Sequence, residues 1–296
     1  MKKIYVILVN YNGTEDTIQC VESLRKVNKP DFKIIIVDNG SSDNSVQEIK
    51  KITDENTILI EAGDNLGFSG GNNLGIKFAM NDDVDYVLLL NNDTLVEPDF
   101  LSIIIERAEK EKGKSVIAPK IYYAYDREHL WYAGGTFSKF TSRTTHIGIN
   151  EKNSEKFDVS KKVSFMTGCC MLIPTDIIKK VGLLDEDFFL YCEDLDYSCR
   201  IVKNGYKLIY EPKAVIYHKV SASTGKVSDI YTYYMVRNKY YIIKRHIKGI
   251  YRCIAGLYSA LENYKRVLSK EYSKEAVMKA KRDYKSNIVG KADKFM

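Results

Sequence analysis

An acidic cluster followed by a histidine has the densest potential for chemistry in this 296-residue chain. Asp187, Glu193, Asp194 and Asp196 lie among aromatic and apolar neighbours, and two strand-like runs later the chain reaches His218. A carboxylate in apolar surroundings is costly unless it is paired or used, so the cluster indicates a proton-accepting group beside a cleft. The imidazole could complete a metal site. The alternative is an acidic helix cap followed by ordinary strand residues.

Polar residues also follow each of the first four predicted strands. In chain order these groups are Asn10-Tyr11-Asn12, Asp38-Asn39, Gly63-Asp64-Asn65 and Asn91-Asn92-Asp93. Each group alone is typical of a turn. In an open α/β sheet, however, the carboxyl ends of parallel strands share one edge, and ligands bind at that edge. The four groups together therefore predict one binding site.

Two of these carboxylates have residue-specific interpretations. Asp38 is suited to accept a hydrogen bond from a ring N–H of a base, and the backbone around residues 10–12 could frame the same base. Asp93 follows a buried strand, where one carboxylate can hold Mg²⁺ or Mn²⁺ if the phosphates of a ligand supply further oxygens. The alternative for Asp93 is a cap for the helix after Pro98.

The glycine-rich segment Gly67–Gly75 is predicted to be a loop that opens a helix at about Gly71. Glycine lets the backbone approach a ligand closely, and a helix N-terminus offers N–H donors to an anion. The segment is neither a Walker loop nor a GxGxxG dinucleotide fingerprint, because the required spacing is absent.

The elements that must position these residues alternate between strand and helix through the first hundred residues, which predicts a mainly parallel α/β sheet. The predicted strands are 4–9, 34–37, 57–60 and 86–90. After residue 115 come shorter strand-like runs at 115–121, 131–136 and 163–173, which indicate a mixed second half. From residue 240 onward, apolar residues recur at helical spacing between lysines and arginines.

Charge separates the C-terminal region from the rest of the chain. Residues 241–296 contain 14 Lys and Arg against 5 Asp and Glu, whereas residues 1–240 contain 31 against 34. This distribution argues against a nucleic-acid-binding core. The basic tail has two interpretations: helices packed on the main domain, or an anchor at an anionic membrane surface. The six cysteines form no CxxC pair, as expected for reduced thiols of a cytosolic protein.

Eight motifs occur in order over residues 4–240. They are VNYN (9–12), VDNGSSD (37–43), NLGFSGGNN (65–73), LLLNNDT (88–94), WYAGG (131–135), TGCCMLI (167–173), FFLYCEDLDYSCR (188–200) and the strand that ends at His218. In these motifs the chain resembles the family 2 glycosyltransferases, and within them the rhamnosyltransferase-like branch.

The resemblance implies a GT-A fold, in which a nucleotide-binding α/β sheet is fused to a mixed acceptor-binding half. We expect a domain over residues 1–240 and a basic helical extension over 241–296. The implied reaction is inverting transfer from a nucleoside diphosphate sugar, dTDP-rhamnose-like or UDP-linked, to a hydroxyl of a glycan or lipid-linked glycan, with Mg²⁺ or Mn²⁺. The implied location is cytoplasmic or at the inner face of the cell membrane, and a homo-oligomer is compatible with the sequence.

Carried onto this sequence, the resemblance assigns Asp194 as the general base with Glu193 beside it, and Asp93 and His218 as metal ligands. The expected donor-binding residues are Asn10, Tyr11, Asn12, Asp38, Asn39, Gly67, Gly70, Gly71, Asn72, Asn92 and Asp93. The family DxD motif reads Asn91-Asn92-Asp93, without its first carboxylate. Like-charged neighbours are expected to raise the proton affinity of Asp194.

Two other function classes remain open from the sequence: a sugar-nucleotidyltransferase and a non-catalytic nucleotide-sugar or carbohydrate-binding module. The first would want a glycine-rich, basic loop after the first strand, and Asn10-Tyr11-Asn12-Gly13 is not one. Among the remaining polar residues, His146 is a weaker site candidate and His246 is expected at the surface. Arg237 is expected either at the diphosphate or in a structural ion pair.

Overall fold

The computed structural model describes residues 2–28, 30–220 and 228–292. Its first half alternates strands and helices, which confirms the predicted pattern. The elements are β1 (Ile4–Asn10), α1 (Thr14–Leu24), β2 (Lys33–Asp38), α2 (Ser45–Lys50), β3 (Thr57–Glu61), α3 (Gly67–Met80), β4 (Tyr86–Leu90), β5 (Thr94–Val96) and α4 (Phe100–Lys110). Strands β1, β2 and β4 are buried almost throughout, which explains their continuous runs of Ile, Leu and Val.

The second half of the sheet-forming region, residues 115–218, contains more strands and fewer α-helices. They are β6 (Ser115–Tyr123), β7 (Leu130–Tyr132), β8 (Gly135–Ser138), β9 (Arg143–His146), β10 (Lys161–Val163), β11 (Cys170–Pro174), α5 (Thr175–Val181), α6 (Glu193–Lys203) and β12 (Lys207–His218). Two predicted strands were wrong in extent. The run 131–136 breaks between β7 and β8, where Gly134 has a φ of 101°. The run 163–173 is divided between β10 and β11.

One mixed sheet joins both halves in the order β10-β12-β6-β11-β4-β1-β2-β3. Strands β4, β1, β2 and β3 are mutually parallel, and β11 runs antiparallel between β4 and β6. Strand β12 is parallel to β6, so its carboxyl end points the same way as that of β4. Consequently His218, at the end of β12, reaches the same edge as the polar groups after β1, β2 and β4.

The glycine-rich segment is helical, so the predicted loop up to about Gly71 is wrong: α3 begins at Gly67. The helix lies unusually close to β1 at its glycines. A Cβ atom on Gly71 would lie 2.8 Å from Val9, and one on Gly75 would lie 2.6 Å from Ile7. These glycines therefore serve close packing of the helix on the sheet.

The C-terminal region forms α7 (Asp229–His246), α8 (Ile250–Leu268) and α9 (Lys274–Lys285), and the predicted domain boundary at residue 240 falls inside α7. The segment after α9 packs against α7 and the segment before α6. Gly290 N donates to Asp187 O at 2.7 Å, and Ala292 N donates to the Tyr234 hydroxyl at 2.9 Å. None of the helices in the described ranges has the length and apolar content to cross a membrane.

Candidate active site

A cavity of about 710 Å³ opens at the carboxyl ends of β1 and β4, beside the start of α3. Seven of the predicted site residues line it, namely Tyr11, Asn12, Asn39, Gly67, Asn72, Asn92 and Asp93. The opposite wall comes from the segment before α6 and from the C-terminal region, through Phe189, Leu190, Ile230, Tyr234 and Lys291. The volume lies within the usual range for clefts that bind cofactor-sized ligands. We call this cavity the donor cavity.

Asn10, Asp38, Gly70 and Gly71 are not among the residues that line the donor cavity. Asp38 is buried, and its carboxylate accepts hydrogen bonds from Asn10 Nδ2 at 2.9 Å and from Ser41 N at 3.0 Å. This carboxylate therefore ties the loop after β2 to the end of β1. Gly70 and Gly71 are buried within α3.

A lysine from the C-terminal segment also lines the donor cavity. Lys291 Nζ lies 2.9 Å from Asp64 Oδ1, and both residues line the cavity. The hydrogen bond from Lys291 is the main reason that the pKa of Asp64 is below its usual value. Lys291 was not predicted, because helical periodicity in the C-terminal region carries no information about where the segment after its last helix packs.

Asp93 and His218 meet at the edge of the donor cavity. Strand β5 pairs with β12 so that Thr94 stands opposite His218, and Lys219 N donates to Asp93 O at 2.9 Å. Asp93 Oδ1 and His218 Nε2 are 3.1 Å apart, but they are not oriented as a hydrogen bond. Asp93 Oδ1 is buried and has no hydrogen-bond partner among the residues described. Asp93 Oδ1 and His218 Nε2 therefore lie close together without a hydrogen bond between them.

This pair has the geometry of two neighbouring ligands of one metal ion. Cis ligands of an octahedral ion with bonds of about 2.1 Å stand about 3.0 Å apart. The observed separation of 3.1 Å agrees with that value. No cluster of three or more His, Cys, Asp or Glu suited to a metal occurs within residues 2–28, 30–220 and 228–292. The remaining ligands would have to be oxygens of another molecule, as in a diphosphate complex.

Asp194, in the first turn of α6, holds a carboxylate with raised proton affinity. Its Oδ2 accepts from Gly168 N at 3.1 Å, and its Oδ1 accepts from Leu195 N at 2.7 Å. Burial raises the pKa of Asp194 to about 6, although these backbone hydrogen bonds act in the opposite direction. A base with this pKa is ionised at neutral pH and can still bind a proton.

Its two acidic neighbours have different environments. Glu193 is buried, its Oε2 has no partner in the described part of the chain, and burial together with the charge of Asp194 raises its pKa well above the usual value. Burial also acts on Asp196, but His246 and Arg200 outweigh it and lower the pKa of Asp196. Asp196 is therefore part of a structural ion-pair network, and the expectation that it raises the pKa of Asp194 is wrong.

The prediction that His246 lies at the surface is wrong, because its side chain belongs to this ion-pair network. Its Nε2 lies 2.7 Å from Asp196 Oδ1, and its side chain is only 11% exposed. Helix α7 thereby holds the side chain of Asp196 in an ion pair. The difference in environment between Asp196 and Asp194 thus depends on α7, which begins more than thirty residues later in the chain.

A strained segment connects the donor cavity to α6. Phe189, Tyr191 and Cys192 all have φ between 58° and 70°, which is costly for residues other than glycine. Asn238 Nδ2 holds this segment by contacting the carbonyl oxygens of Phe188 at 2.8 Å, Leu190 at 2.9 Å and Tyr191 at 2.8 Å. Phe189 O in turn accepts from Phe68 N in α3 at 2.8 Å.

Arg237 supports the same segment and does not line the donor cavity. It is fully buried and donates to Asp187 O at 3.2 Å and to Gly290 O at 2.8 Å. Its partners are mainly carbonyl oxygens, so neither the diphosphate contact nor the ion pair considered from the sequence describes its hydrogen bonds. The pair Arg237–Asn238 fixes the backbone that leads into α6.

His146 lies one aromatic ring away from the Asp93–His218 pair. The Trp131 ring contacts both imidazoles edge-on, with centroids 4.5 Å from His146 and 4.4 Å from His218. Burial lowers the pKa of His146 to about 4, and its Nδ1 lies 3.2 Å from Trp131 O. His146 is therefore neutral near pH 7 and helps to set the position of Trp131.

The sequence profile of glycosyl transferase family 2 matches residues 5–182, which is more than half of the chain. The chain belongs to glycosyl transferase family 2. Of the three function classes left open by the sequence, membership of this family favours the glycosyltransferase.

Two curated relatives are similar in sequence to this chain over 66% and 76% of its length. The low-salt glycan biosynthesis hexosyltransferase Agl10 of Haloferax volcanii is 27% identical over 197 residues, which cover 66% of this chain and 60% of the relative. The poly-beta-1,6-N-acetyl-D-glucosamine synthase of Staphylococcus aureus is 27% identical over 231 residues, which cover 76% of this chain and 52% of the relative. The aligned region thus spans little more than half the length of either relative.

Solved structures establish the GT-A fold. GalNAc-T7 with UDP, GalNAc and Mn²⁺ superposes with a TM-score of 0.63 at 15% identity, covering 96% of this chain and 58% of that one. The mannosyltransferase PcManGT of Pyrobaculum calidifontis, with GDP-Man and Mn²⁺, gives 0.59 at 13% identity, covering 94% and 73%. At these identities the likeness concerns the fold alone, and it confirms the predicted mixed sheet with a helical C-terminal region.

Proposed function

We propose that this chain is a metal-dependent, inverting glycosyltransferase that moves a sugar from a nucleoside diphosphate donor to a hydroxyl of a glycan or lipid-linked glycan. The single observation that carries the proposal is the convergence of Asp93 Oδ1 and His218 Nε2, 3.1 Å apart at the edge of a cavity of about 710 Å³. Asp93 Oδ1 is a buried acceptor without a partner among the described residues, which is costly, and a metal with a diphosphate would satisfy it.

In this proposal Asp93 and His218 hold Mg²⁺ or Mn²⁺. The bound ion would act as a Lewis acid that offsets the negative charge developing on the departing diphosphate. The nucleotide would lie along the wall formed by Tyr11, Asn12 and Asn39, with Asp38 supporting that wall from behind. Lys291, which lines the same cavity, would add a positive charge near the phosphates.

Asp194 is the general base of the proposed reaction. It removes the proton from the acceptor hydroxyl as that oxygen attacks the anomeric carbon from the face opposite the diphosphate, so the configuration inverts. With a pKa of about 6, Asp194 is ionised at neutral pH, whereas Glu193, with a higher pKa, would keep its proton more readily. A protonated Glu193 carries no charge, so Asp194 is the ionised member of the pair that can accept the proton.

The motif pattern of the rhamnosyltransferase-like branch favours a dTDP-rhamnose-like donor, and UDP-linked sugars are the alternative. Thermal-shift measurements with dTDP-rhamnose, UDP-galactofuranose, UDP-glucose and UDP-N-acetylglucosamine, each with Mn²⁺ or Mg²⁺, would identify the donor, because a ligand that binds only the folded state raises its stability. Release of the nucleoside diphosphate in the presence of candidate acceptors would then test transfer. Loss of the metal-dependent shift in Asp93→Asn is expected, and an unchanged shift would refute the metal site.

We further propose that α8 contacts an anionic membrane surface at the cytoplasmic face, where a lipid-linked acceptor would be found. One stripe of this helix is apolar but faces solvent: Ile250, Ile254, Leu257, Leu261, Tyr264 and Leu268 are 67, 41, 64, 53, 62 and 64% exposed. The side facing the protein instead contains Ala255 and Ser259. Basic residues accompany the stripe, which suits an interfacial helix on anionic lipid.

Sedimentation with phosphatidylglycerol vesicles tests this contact. The double variant Leu257→Asn/Leu261→Asn should lose vesicle binding, whereas Val159→Asn, at a residue that is 61% exposed outside the stripe, should retain it. Equal sedimentation of the three proteins would refute the contact. The alternative is a homo-oligomer in which the apolar stripes of two chains pair. The like charges of the two basic C-terminal regions oppose this pairing. A dimer found by ultracentrifugation without vesicles, and lost in the double variant, would replace the membrane proposal.

A further inference from the structure

A second cavity, of about 240 Å³, lies between the β8–β9 hairpin, the start of α6 and helices α7 and α8. Within the described residues it shares no lining residue with the donor cavity. Cys192 and Leu195, which flank the Glu193–Asp194 pair in the chain, form part of its wall. The cavity therefore adjoins the proposed catalytic carboxylates on a side that the donor does not occupy.

Positive charge exceeds negative charge in this cavity. Arg143, Lys239 and Arg266 line it and share the single carboxylate of Glu262, with N···O distances of 3.5, 2.6 and 3.5 Å. Arg266 has a second partner, Glu271, whose Oε1 lies 2.6 Å away outside the lining set. Counting both carboxylates, the cations still exceed them by one. Lys239 is held in the wall with a side chain only 15% exposed.

An unsatisfied hydroxyl faces the same space. Ser142 lines the cavity, is only 4% exposed, and its Oγ makes no hydrogen bond with any residue that the structure describes. It also has a φ of 52° at the turn of the β8–β9 hairpin, a costly conformation for serine. A buried donor without a partner, beside a surplus of cations, is the arrangement expected of an anion site.

We propose that this cavity binds a phosphate or diphosphate group of the acceptor. The inference rests on the proposed glycosyl transfer, because it assigns the second substrate of that reaction. The guanidinium groups of Arg143 and Arg266 and the ammonium group of Lys239 would share the phosphate oxygens, and the Ser142 hydroxyl would donate one further hydrogen bond. The neighbouring carboxylates would then lie within reach of a hydroxyl on the same acceptor.

The test is calorimetric titration of the full chain with pyrophosphate in the presence of EDTA. Lys239→Gln should weaken binding at least about tenfold, and Ser142→Ala about threefold, as expected for lost contacts to a charged ligand. Glu262 keeps two cationic partners in Lys239→Gln, so the fold should be retained. Lys265→Gln, at an exposed neighbour on α8 outside the cavity, should leave the affinity unchanged within about twofold.

Pyrophosphate affinity that is unchanged in both Lys239→Gln and Ser142→Ala would overturn the inference. Failure of the proposed function appears separately, as an absence of nucleoside diphosphate binding in the presence of Mn²⁺. Farnesyl diphosphate distinguishes the source of the phosphate. Binding at least about tenfold tighter than that of pyrophosphate, and still dependent on Lys239, would assign a lipid diphosphate. Equal binding of the two would assign a soluble phosphorylated acceptor.

Discussion

Replacing Asp194 by Asn should abolish transfer and at the same time stabilise the folded chain at neutral pH. Burial raises the pKa of Asp194 from 3.8 to about 6, so ionising this carboxyl costs the folded state more than the unfolded state. The difference corresponds to about 3 kcal/mol. This is an upper value, because the residue is only half-buried and its carboxylate keeps two backbone hydrogen bonds.

The sign of the pH dependence follows from the raised pKa. Well below pH 3.8 the carboxyl is protonated in both states, so it costs the wild type nothing relative to Asn. As the pH rises from 3.8 to about 6, the unfolded chain releases this proton while the folded chain still holds it, so the wild type loses stability relative to the variant, and the loss is complete above about pH 6. Between about pH 4 and about pH 7.5, the variant should gain about 2 kcal/mol over the wild type.

Urea unfolding of both proteins at the two pH values measures this difference, and nucleoside diphosphate release measures activity. Wild-type activity should rise with pH through about 6, and the variant should be inactive throughout. Asp196→Asn is the matched control: the pKa of Asp196 is lowered by His246 and Arg200, so its loss should destabilise the chain at neutral pH. A stability difference between Asp194→Asn and the wild type that does not change with pH would refute the raised pKa, and near-normal turnover would refute the base.

Three further outcomes are expected. His218→Ala should weaken Mn²⁺ binding in the presence of nucleoside diphosphate at least about tenfold, since even outer-shell changes at metal sites have such effects. Electron paramagnetic resonance measures the Mn²⁺ affinity, with His129→Ala, at a partly exposed histidine, as the control. Equal affinities of the two variants would contradict the metal site. Asn238→Ala should lower the free energy of unfolding by about 2–4 kcal/mol, because three carbonyl oxygens lose a donor. Asn56→Ala at the surface should lower it little, and a similar decrease in both variants would contradict the supporting role of Asn238. Lys291→Ala should raise KM for the donor about three- to tenfold with kcat unchanged, as expected for one partly exposed phosphate contact. Lys285→Ala on α9 should change neither constant. An unaltered KM in Lys291→Ala would contradict a contact between Lys291 and the phosphates.

Residue spacing alone was sufficient to predict the alternation of strands and helices and the edge where the site forms. A parallel strand always delivers its following residues to the same side of a sheet, so Asn12, Asn39 and Asp93 converge whatever else the chain does. His218 was a candidate metal ligand from its position after the acidic cluster, and the motif resemblance assigned it to the same metal site as Asp93. The structure shows why it reaches Asp93: β12 runs parallel to β6 and pairs with β5.

Other features depended on contacts between distant segments, which local patterns do not specify. The sequence does not reveal that Asp38 is buried against Asn10, or that Asp196 is bound by Arg200 and His246 while Asp194 stays available. Periodicity in α8 defined an apolar stripe, yet whether that stripe would be covered or exposed depended on where the neighbouring helices pack. Sequence by itself therefore determined the fold, the family and the edge of the sheet that holds the site. Only tertiary structure decided which of the acidic residues have raised pKa values and which surfaces face solvent, because burial and pairing arise between residues far apart in the chain.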